Sequence, residues 1–492
     1  MSLPPRTGSV ECARMLDRRV VRDLERQVDT PHVYTRPADL AAYAYDAWGA
    51  SGERHLPDAV VFPASTEEVS GVVEVCAYHG VPVVPRGAGT GYAAGAAPYA
   101  GGVVLSVARM NSILGIEADA LRLRAEAGTV VRSIHDRTER AGVYYPPDPG
   151  SSSTCTIGGN VACNAAGPHT LRYGVTADYL AGVTAVLADG RVVRLGEGGD
   201  GRLDGLLPLV TGSEGTLAVI TEVVLRLLPA PARRATLAAT FSTMDGAAVA
   251  VAAIAAASVV PAAIEFLDAG ALRAIRAAGG TTVAVDAEAL LIVEVEGDAG
   301  TVDTELAAVR AAVHGAAPDH VEDATTPDER TRLWRARKAV SAAVAKVMIG
   351  KVNEDVVVPR DRMAELVAAT RRLGAAHDLP VVNFGHLGDG NLHATFLIDP
   401  RVAGQRERAD AAAGELFETV LAMGGSLSGE HGVGQAKIPY VEQQLGAAGV
   451  ALMWRIKDTI DPRGILNPGK KLPPVQVAEV QAPTVAAAAT PA

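Results

Sequence analysis

Short apolar runs and stretches of helical period alternate along most of this chain. The first 55 residues read as a helical lead-in ending in Tyr43-Ala-Tyr45-Asp46. Asp58-Ala-Val-Val-Phe-Pro then makes a strand. Ser65-Thr-Glu-Glu68 has the form of a capping box, with Ser65 as N-cap and Glu68 three residues on. Val69, Val72, Val73, Cys76 and Ala77 recur at helical spacing, and Gly80 is placed to end the helix. The runs from Val81 and from Val103 read as strands on either side of a glycine-rich loop. Leu121 to Gly128 alternates like a half-buried strand, and a helix is expected over about 130–140. Residues 146–168 have loop composition. Ala181 to Leu195 reads as a hairpin turning at Asp189-Gly190, Thr216 to Leu228 as a strand, and Pro229-Ala-Pro-Ala-Arg-Arg as a boundary.

A second α/β unit is expected over 236–420. It holds an Ala-rich helix near 246–258, a strand from Leu291, a helix near 328–348 and a strand from Val381 leading into a turn. A Gly-rich loop, a helix near 447–459 and Asn467-Pro-Gly-Lys-Lys follow. The expected organisation is therefore a lead-in (1–55), a first domain (56–235), a substrate or cap domain (236–420), a C-terminal return (421–474) and a disordered Pro/Ala/Val tail (475–492).

Composition narrows the function classes. The chain has 492 residues, enough for two or three domains, and its 48% hydrophobic and 21% charged residues are those of a globular protein. A net charge of −11 argues against nucleic-acid or anionic-membrane partners. Four cysteines without a CxxC pair form no disulfide framework and no iron–sulfur run, which points to a reducing compartment. Without an apolar leader or a convincing membrane span, a cytoplasmic protein, or one peripheral to the inner membrane face, is expected.

Three loops carry candidate binding chemistry. Pro85-Arg86-Gly87-Ala88-Gly89-Thr90-Gly91 brings backbone N–H groups together in the way an anion needs, yet taken alone it reads equally as a tight turn. It lacks both the helix-opening GxGxxG spacing and the lysine of a phosphate-binding loop. Pro146 to Ser151, running into Thr156-Ile-Gly-Gly-Asn160 and Asn164-Ala-Ala-Gly167, is the second. Thr211 to Thr216, leading to Val219 and Ile220, is the third. Two further segments carry imidazoles and carboxylates. Phe384-Gly-His386-Leu-Gly-Asp-Gly-Asn391-Leu-His393 flanks a turn with two histidines, and Ser428-Gly-Glu430-His431-Gly-Val-Gly434 adds a carboxylate and a third. Two His and one Glu with an open position suit a divalent metal, with Zn the first candidate and Mn or Fe compatible by ligand type.

In order and spacing, these segments resemble the FAD-binding fold of the vanillyl-alcohol oxidase and p-cresol methylhydroxylase (PCMH) type. Within it they resemble the branch of D-lactate dehydrogenase, the glycolate oxidase flavoprotein subunit and D-2-hydroxyglutarate dehydrogenase. The likeness runs over about 35–474. It implies an α+β fold: a two-lobed FAD-binding domain, an inserted α/β cap domain and a C-terminal return segment. It implies that Pro85 to Gly91 cradle the FAD pyrophosphate, and that Pro147, Asp148, Gly150, Ser151, Gly158, Asn160, Gly212, Glu214 and Gly215 line the cofactor. Val219 and Ile220 would touch it through backbone, and Asn467 would return to the flavin. The pyrophosphate loop has neither His nor Cys, so FAD is expected to be noncovalent. His386, His393 and Glu430 would hold the metal, and His431 would be the catalytic base. Arg337 in Leu333-Trp-Arg-Ala-Arg337-Lys338, together with Lys351 and Asn391, would bind the substrate; Ser341 is a looser match.

The implied reaction oxidises a D-2-hydroxy acid (D-lactate, glycolate or D-2-hydroxyglutarate) with hydride transfer to flavin N5. The electron acceptor would be a quinone, a cytochrome, an electron-transfer flavoprotein or a partner subunit, and a homodimer is one expected assembly. Alternatives are an FAD alcohol oxidase for another substrate, a flavin subunit of a larger electron-transfer complex, and a metal hydrolase, which leaves the glycine loops unexplained.

Overall fold

The structure, a computed structural model, describes residues 16–48, 55–199, 201–280 and 287–474. The expected tail at 475–492 and Cys12 lie outside them. Two sheets build the first half. In one, Ala59–Val61, Val103–Ser106 and Val83–Arg86 run parallel, with Val33–Tyr34 antiparallel at the edge. The Val-rich runs at 59–61 and 103–106 are buried on both faces, as in parallel sheets that are covered on each side. The second sheet is antiparallel in the order Ile113–Glu117, Arg122–Glu126, Val219–Arg226, Leu180–Val186, Val192–Gly196. In Arg122–Glu126, Leu123 and Ala125 point into the core while Arg124 faces out.

Local signals in the sequence are realised where each has a physical device behind it. Thr66–His79 is a helix; the Ser65 side chain accepts from the Glu68 N–H, and Gly80 closes the helix at φ 66°. Glu68 Oε2 in turn accepts from the Ala64 N–H at 2.7 Å. The helix Arg18–Val28 packs Val20, Leu24 and Val28 into the same core. Residues 146–168, read as loop, contain the helix Ile157–Cys163. Its buried Ile157 and Val161, one helical turn apart, are a short signal inside Gly- and Asn-rich surroundings.

The chain leaves this half at Leu228–Pro229, which pairs with Val143–Tyr144. The second half is one seven-stranded sheet in the order His320–Ala324, Arg233–Phe241, Ala289–Gly297, Ala263–Asp268, Val381–His386, Asn391–Ile398, Gly350–Val357. Every pairing in it is antiparallel, so the unit expected as α/β is layered, with helices packed on both faces. One face buries Phe266, Leu291, Val293, Leu392, Ala394 and Phe396 under helices including Met363–Ala376 and Gln405–Ala422. The other carries Leu267, Ile292 and Phe384 under Ala269–Ala277 and Pro327–Val347.

The helix Ile438–Ile460, kinked at Gly446, leads the chain back to the first half. There Leu466 bridges to Val83 in parallel, and Ile465 and Leu466 join the first core. The buried Lys457 ammonium fixes this return by donating to the carbonyls of Thr216 and Leu466 and to Asp461 Oδ2.

Candidate active site

Strand alternation sorts the second sheet into an apolar face and a chemical face. Directly opposed residues of an antiparallel pair share a face. The register sets Asp355 opposite His393, His393 opposite Phe384, and His386 opposite Glu265. Lys351, Asn353 and Asp355, two residues apart, lie on that same face. A slip of one residue would send all of them into the apolar layer.

The three expected metal ligands converge. Ligand atoms of His386, His393 and Glu430 lie within 4.8 Å of one another. Glu430 Oε1 is 3.2 Å from His393 Nε2, 3.5 Å from His386 Nε2 and 3.9 Å from His431 Nε2. The His431 ring stacks on that of His393 with centroids 5.1 Å apart. Glu265, which no sequence motif marks, is fully buried and accepts from His386 Nδ1 at 2.5 Å. That bond turns Nε2 toward Glu430, as a carboxylate behind a metal-binding imidazole does. The other oxygen of Glu265 accepts from Arg337 Nε, and the Arg337 guanidinium lies over the Phe384 ring.

The donor set fits a divalent cation. Burial alone would depress the His386 imidazole, but Glu265 and Glu430 override it and raise it to about 10. The raised value favours the protonated ring at neutral pH, and a cation bound at Nε2 would displace that proton. His431 behaves oppositely. Burial pushes it down to about 4 despite the pull of Asp355, so it is neutral at pH 7.

The cluster opens onto a cavity of about 880 Å³ running along the seam between the two halves. Pro85 to Gly91, Asp148, Gly150, Ser151, Gly158, Asn160, Glu214, Gly215, Val219 and Ile220 line it, as do Arg337, Lys351, His386, His393, Glu430 and His431. Thr156 Oγ1 and Asn160 Nδ2, both of residues on the cavity wall, are buried without a partner among the described residues, which suits a polar ligand. A Cβ at Gly158 would sit 2.6 Å from Ala127 Cβ, so the short helix presses on its neighbour too closely for any side chain. These features fit a large cofactor such as FAD. Cys155 and Cys163 also line the cavity, and burial pushes their thiols up to about 11 and about 12, which keeps them protonated.

Four expected site residues stand off this wall. The Pro147 carbonyl accepts from His135 Nε2 at 2.9 Å. Gly212 occupies a turn at φ 72°, its N–H on the Val161 carbonyl. Asn467 donates to the Gly95 and Glu214 carbonyls, joining the C-terminal return to two loops of the cavity wall. Asn391, expected at the substrate, donates instead to Asp355 Oδ1 at 2.7 Å. Arg86 reaches the wall, but its guanidinium is committed to the Tyr45 and Ala96 carbonyls and braces the loop. Tyr92, which ends the glycine-rich segment and was not among the expected site residues, packs between the halves: its ring is 5.1 Å from that of His431 and 5.0 Å from Lys351 Nζ.

A glycine-walled cavity ending at a histidine–carboxylate cluster, on this pair of units, is the architecture of a flavoprotein oxidoreductase. The fold is shared with p-cresol methylhydroxylase solved with substrate bound, at a TM-score of 0.75 and 20% identity over 92% of this chain and 96% of that one. Residues 57–196 match the family model "FAD binding domain", and residues 230–471 match "FAD linked oxidases, C-terminal domain". The glycolate oxidase subunit GlcD of Bacillus subtilis (strain 168) is 39% identical over 88% of this chain and 92% of its own. D-lactate dehydrogenase of Anaerostipes hadrus is 33% identical over 84% and 89%. The chain belongs to the FAD-linked oxidase family and is an FAD-linked oxidoreductase. No helix among its described residues is long and apolar enough to cross a membrane.

Proposed function

We propose that this enzyme oxidises a small 2-hydroxy acid of D configuration to the 2-oxo acid. The observation that carries the reading is the convergence of His386, His393 and Glu430 beside a neutral His431 at the end of the cofactor cavity. The relatives named glycolate oxidase and D-lactate dehydrogenase support the substrate class.

Each residue has a separate task. The loops at 85–91, 148–151, 158–160 and 214–220 would hold FAD, which when bound supplies the two-electron acceptor. His386, His393 and Glu430 would hold a divalent cation, with Zn the first candidate, which supplies Lewis acidity toward the substrate oxygens. Arg337, from the helix Pro327–Val347, and Lys351, from the strand Gly350–Val357, would neutralise the substrate carboxylate. His431 takes the hydroxyl proton at Nε2, the ring nitrogen that faces the His386–His393–Glu430 cluster. A base of this kind contributes about 10²–10⁴-fold. Tyr92 and Lys351 close the chamber next to His431 and limit water. Reoxidation falls to a separate acceptor: a quinone, a cytochrome, an electron-transfer flavoprotein or a partner subunit.

The test is anaerobic addition of D-lactate, glycolate and D-2-hydroxyglutarate to the yellow holoenzyme, before and after chelation. Bleaching of the flavin bands by at least one acid, lost after chelation and restored by Zn, is expected. If none of a panel of 2-hydroxy acids bleaches the flavin, the reading fails.

A further inference from the structure

We infer that Asp355 is a positioning residue that sets the place of both Glu430 and His431. The inference rests on the proposed roles of those two residues. Asp355 is fully buried on the strand Gly350–Val357, directly opposite His393. Its Oδ2 accepts from the backbone N–H groups of Gly429, Glu430 and His431, each at 2.9 Å, and from Ser428 Oγ at 2.9 Å. Three successive amides turned onto one oxygen form an anion nest, and here the anion is a side chain of the sheet. The oxygen therefore holds the backbone of the ligand and of the base together.

The rest of the carboxylate is equally committed. Oδ1 accepts from Asn391 Nδ2 at 2.7 Å, two residues before His393 on the same strand. Lys437 Nζ donates to the Asp355 and Leu427 carbonyls at 2.7 Å and lies 3.8 Å from Oδ2. The loop is pressed onto this group. A Cβ at Gly429 would lie 1.5 Å from Asn391 Nδ2 and 2.9 Å from Asp355 Oδ1, so residue 429 has room only for hydrogen. The far end of the loop is held by a second carboxylate from the other half, since Glu214 accepts from the Val433 and Gly434 N–H groups. Asp355 thus fixes the loop to the sheet that carries His386 and His393, and Glu214 fixes it to the cofactor loops. Neither carboxylate needs to touch substrate.

The two chemical features of Asp355, its acceptor geometry and its charge, are separable by substitution. Asp355→Ala leaves five donors without their acceptor: three backbone N–H groups, Ser428 Oγ and Asn391 Nδ2. Asp355→Asn keeps an oxygen for the nest, and the Asn391 amide, whose Oδ1 has no partner among the described residues, turns to accept from the new NH2. The measurements are Zn affinity of the holoenzyme by chelator competition, and kcat and KM for the 2-hydroxy acid that bleaches the flavin. Asp355→Ala is expected to weaken Zn binding by about 10–100-fold, the usual effect of a carboxylate behind metal ligands. It should lower kcat by more than it raises KM, with the flavin spectrum unchanged. Asp355→Asn should recover most of the Zn affinity. If Asp355→Ala does not yield yellow protein, Ser428→Ala, which removes one donor, decides: weaker Zn binding is expected. Wild-type Zn affinity and kcat in Asp355→Ala, or in Ser428→Ala where that variant decides, would overturn the inference. So would Asn falling as far as Ala. A wild-type enzyme that holds no metal and oxidises no 2-hydroxy acid breaks the proposed function itself, whatever the variants do.

Discussion

Replacing Glu265 by Gln puts an amide where two donors share one buried carboxylate. Oε1 accepts from His386 Nδ1 at 2.5 Å and Oε2 from Arg337 Nε. An amide offers one oxygen and one NH2, so whichever way it turns, either His386 or Arg337 faces another donor. Removing one partner of a buried charged pair costs about 3–5 kcal/mol. Loosening an imidazole behind a metal costs about 10–100-fold in affinity. Three changes should therefore appear together in Glu265→Gln. The urea midpoint of the metal-free protein drops, Zn competes less well with a chelator, and KM for the hydroxy acid rises because Arg337 loses its anchor. The flavin spectrum should stay as it is, since the cofactor loops belong to the other half. A variant with native Zn affinity and native KM would refute the shared role of Glu265, even if its stability fell.

Three other outcomes are expected. His431→Asn should lower kcat by about 10²–10⁴-fold at pH 7.5 while FAD and Zn contents stay constant, as measured by absorbance and metal analysis. Lys470 is buried over the Tyr99 ring, and burial pushes its ammonium down from 10.5 to about 7 against Asp46 and Glu214. Between those values the unfolded chain holds the extra proton, so this residue makes wild-type stability rise with pH. Lys470→Met should therefore be the more stable protein at pH 7, by at most about 4–5 kcal/mol, with the advantage shrinking toward pH 10.5 in urea titrations. An advantage that does not change with pH would contradict the assignment. Phe396→Ala, on the apolar face of the second sheet, should cost about 3–5 kcal/mol in urea while the protein that remains folded keeps its kcat.

The sequence was most readable where one local device decides the outcome. Ser65, Glu68 and Gly80 bounded a helix, and Asp189-Gly190 closed a hairpin, because caps and turns act over a few residues. The His386, His393, Glu430 and His431 segments were legible as a set because imidazoles and glycines at turn spacing are uncommon. Asp355 and Glu265 were not, since each shares its strand with another acid, Glu354 or Asp268, and matters only through its neighbour across the sheet. The alternation Lys351, Asn353, Asp355 was the available signal. Asn391 was expected at the substrate; its Nδ2 donates to a carboxylate 36 residues earlier in the chain, a contact no motif shows, and its Oδ1 has no partner among the described residues. Strand direction in the second half was also out of reach, because apolar runs look alike in parallel and antiparallel sheets.

The bridge between Val83 and Leu466 has a consequence for how the enzyme is made. The strand that opens the glycine-rich loop at 85–91 leaves the ribosome about 380 residues before its C-terminal neighbour. At about 5–20 residues per second, that is a wait of roughly 20–80 s. Throughout that interval Asn467 has not arrived to join the Gly95 and Glu214 loops. The second half, inserted between the two ends, has all its strands by residue 398 and its covering helix by residue 422. It is thus free to form during translation, while the half that takes the flavin is completed last. The pairing of Leu466 with Val83 and of Asn467 with the Gly95 and Glu214 loops is therefore available to the flavin only once residue 467 has been made.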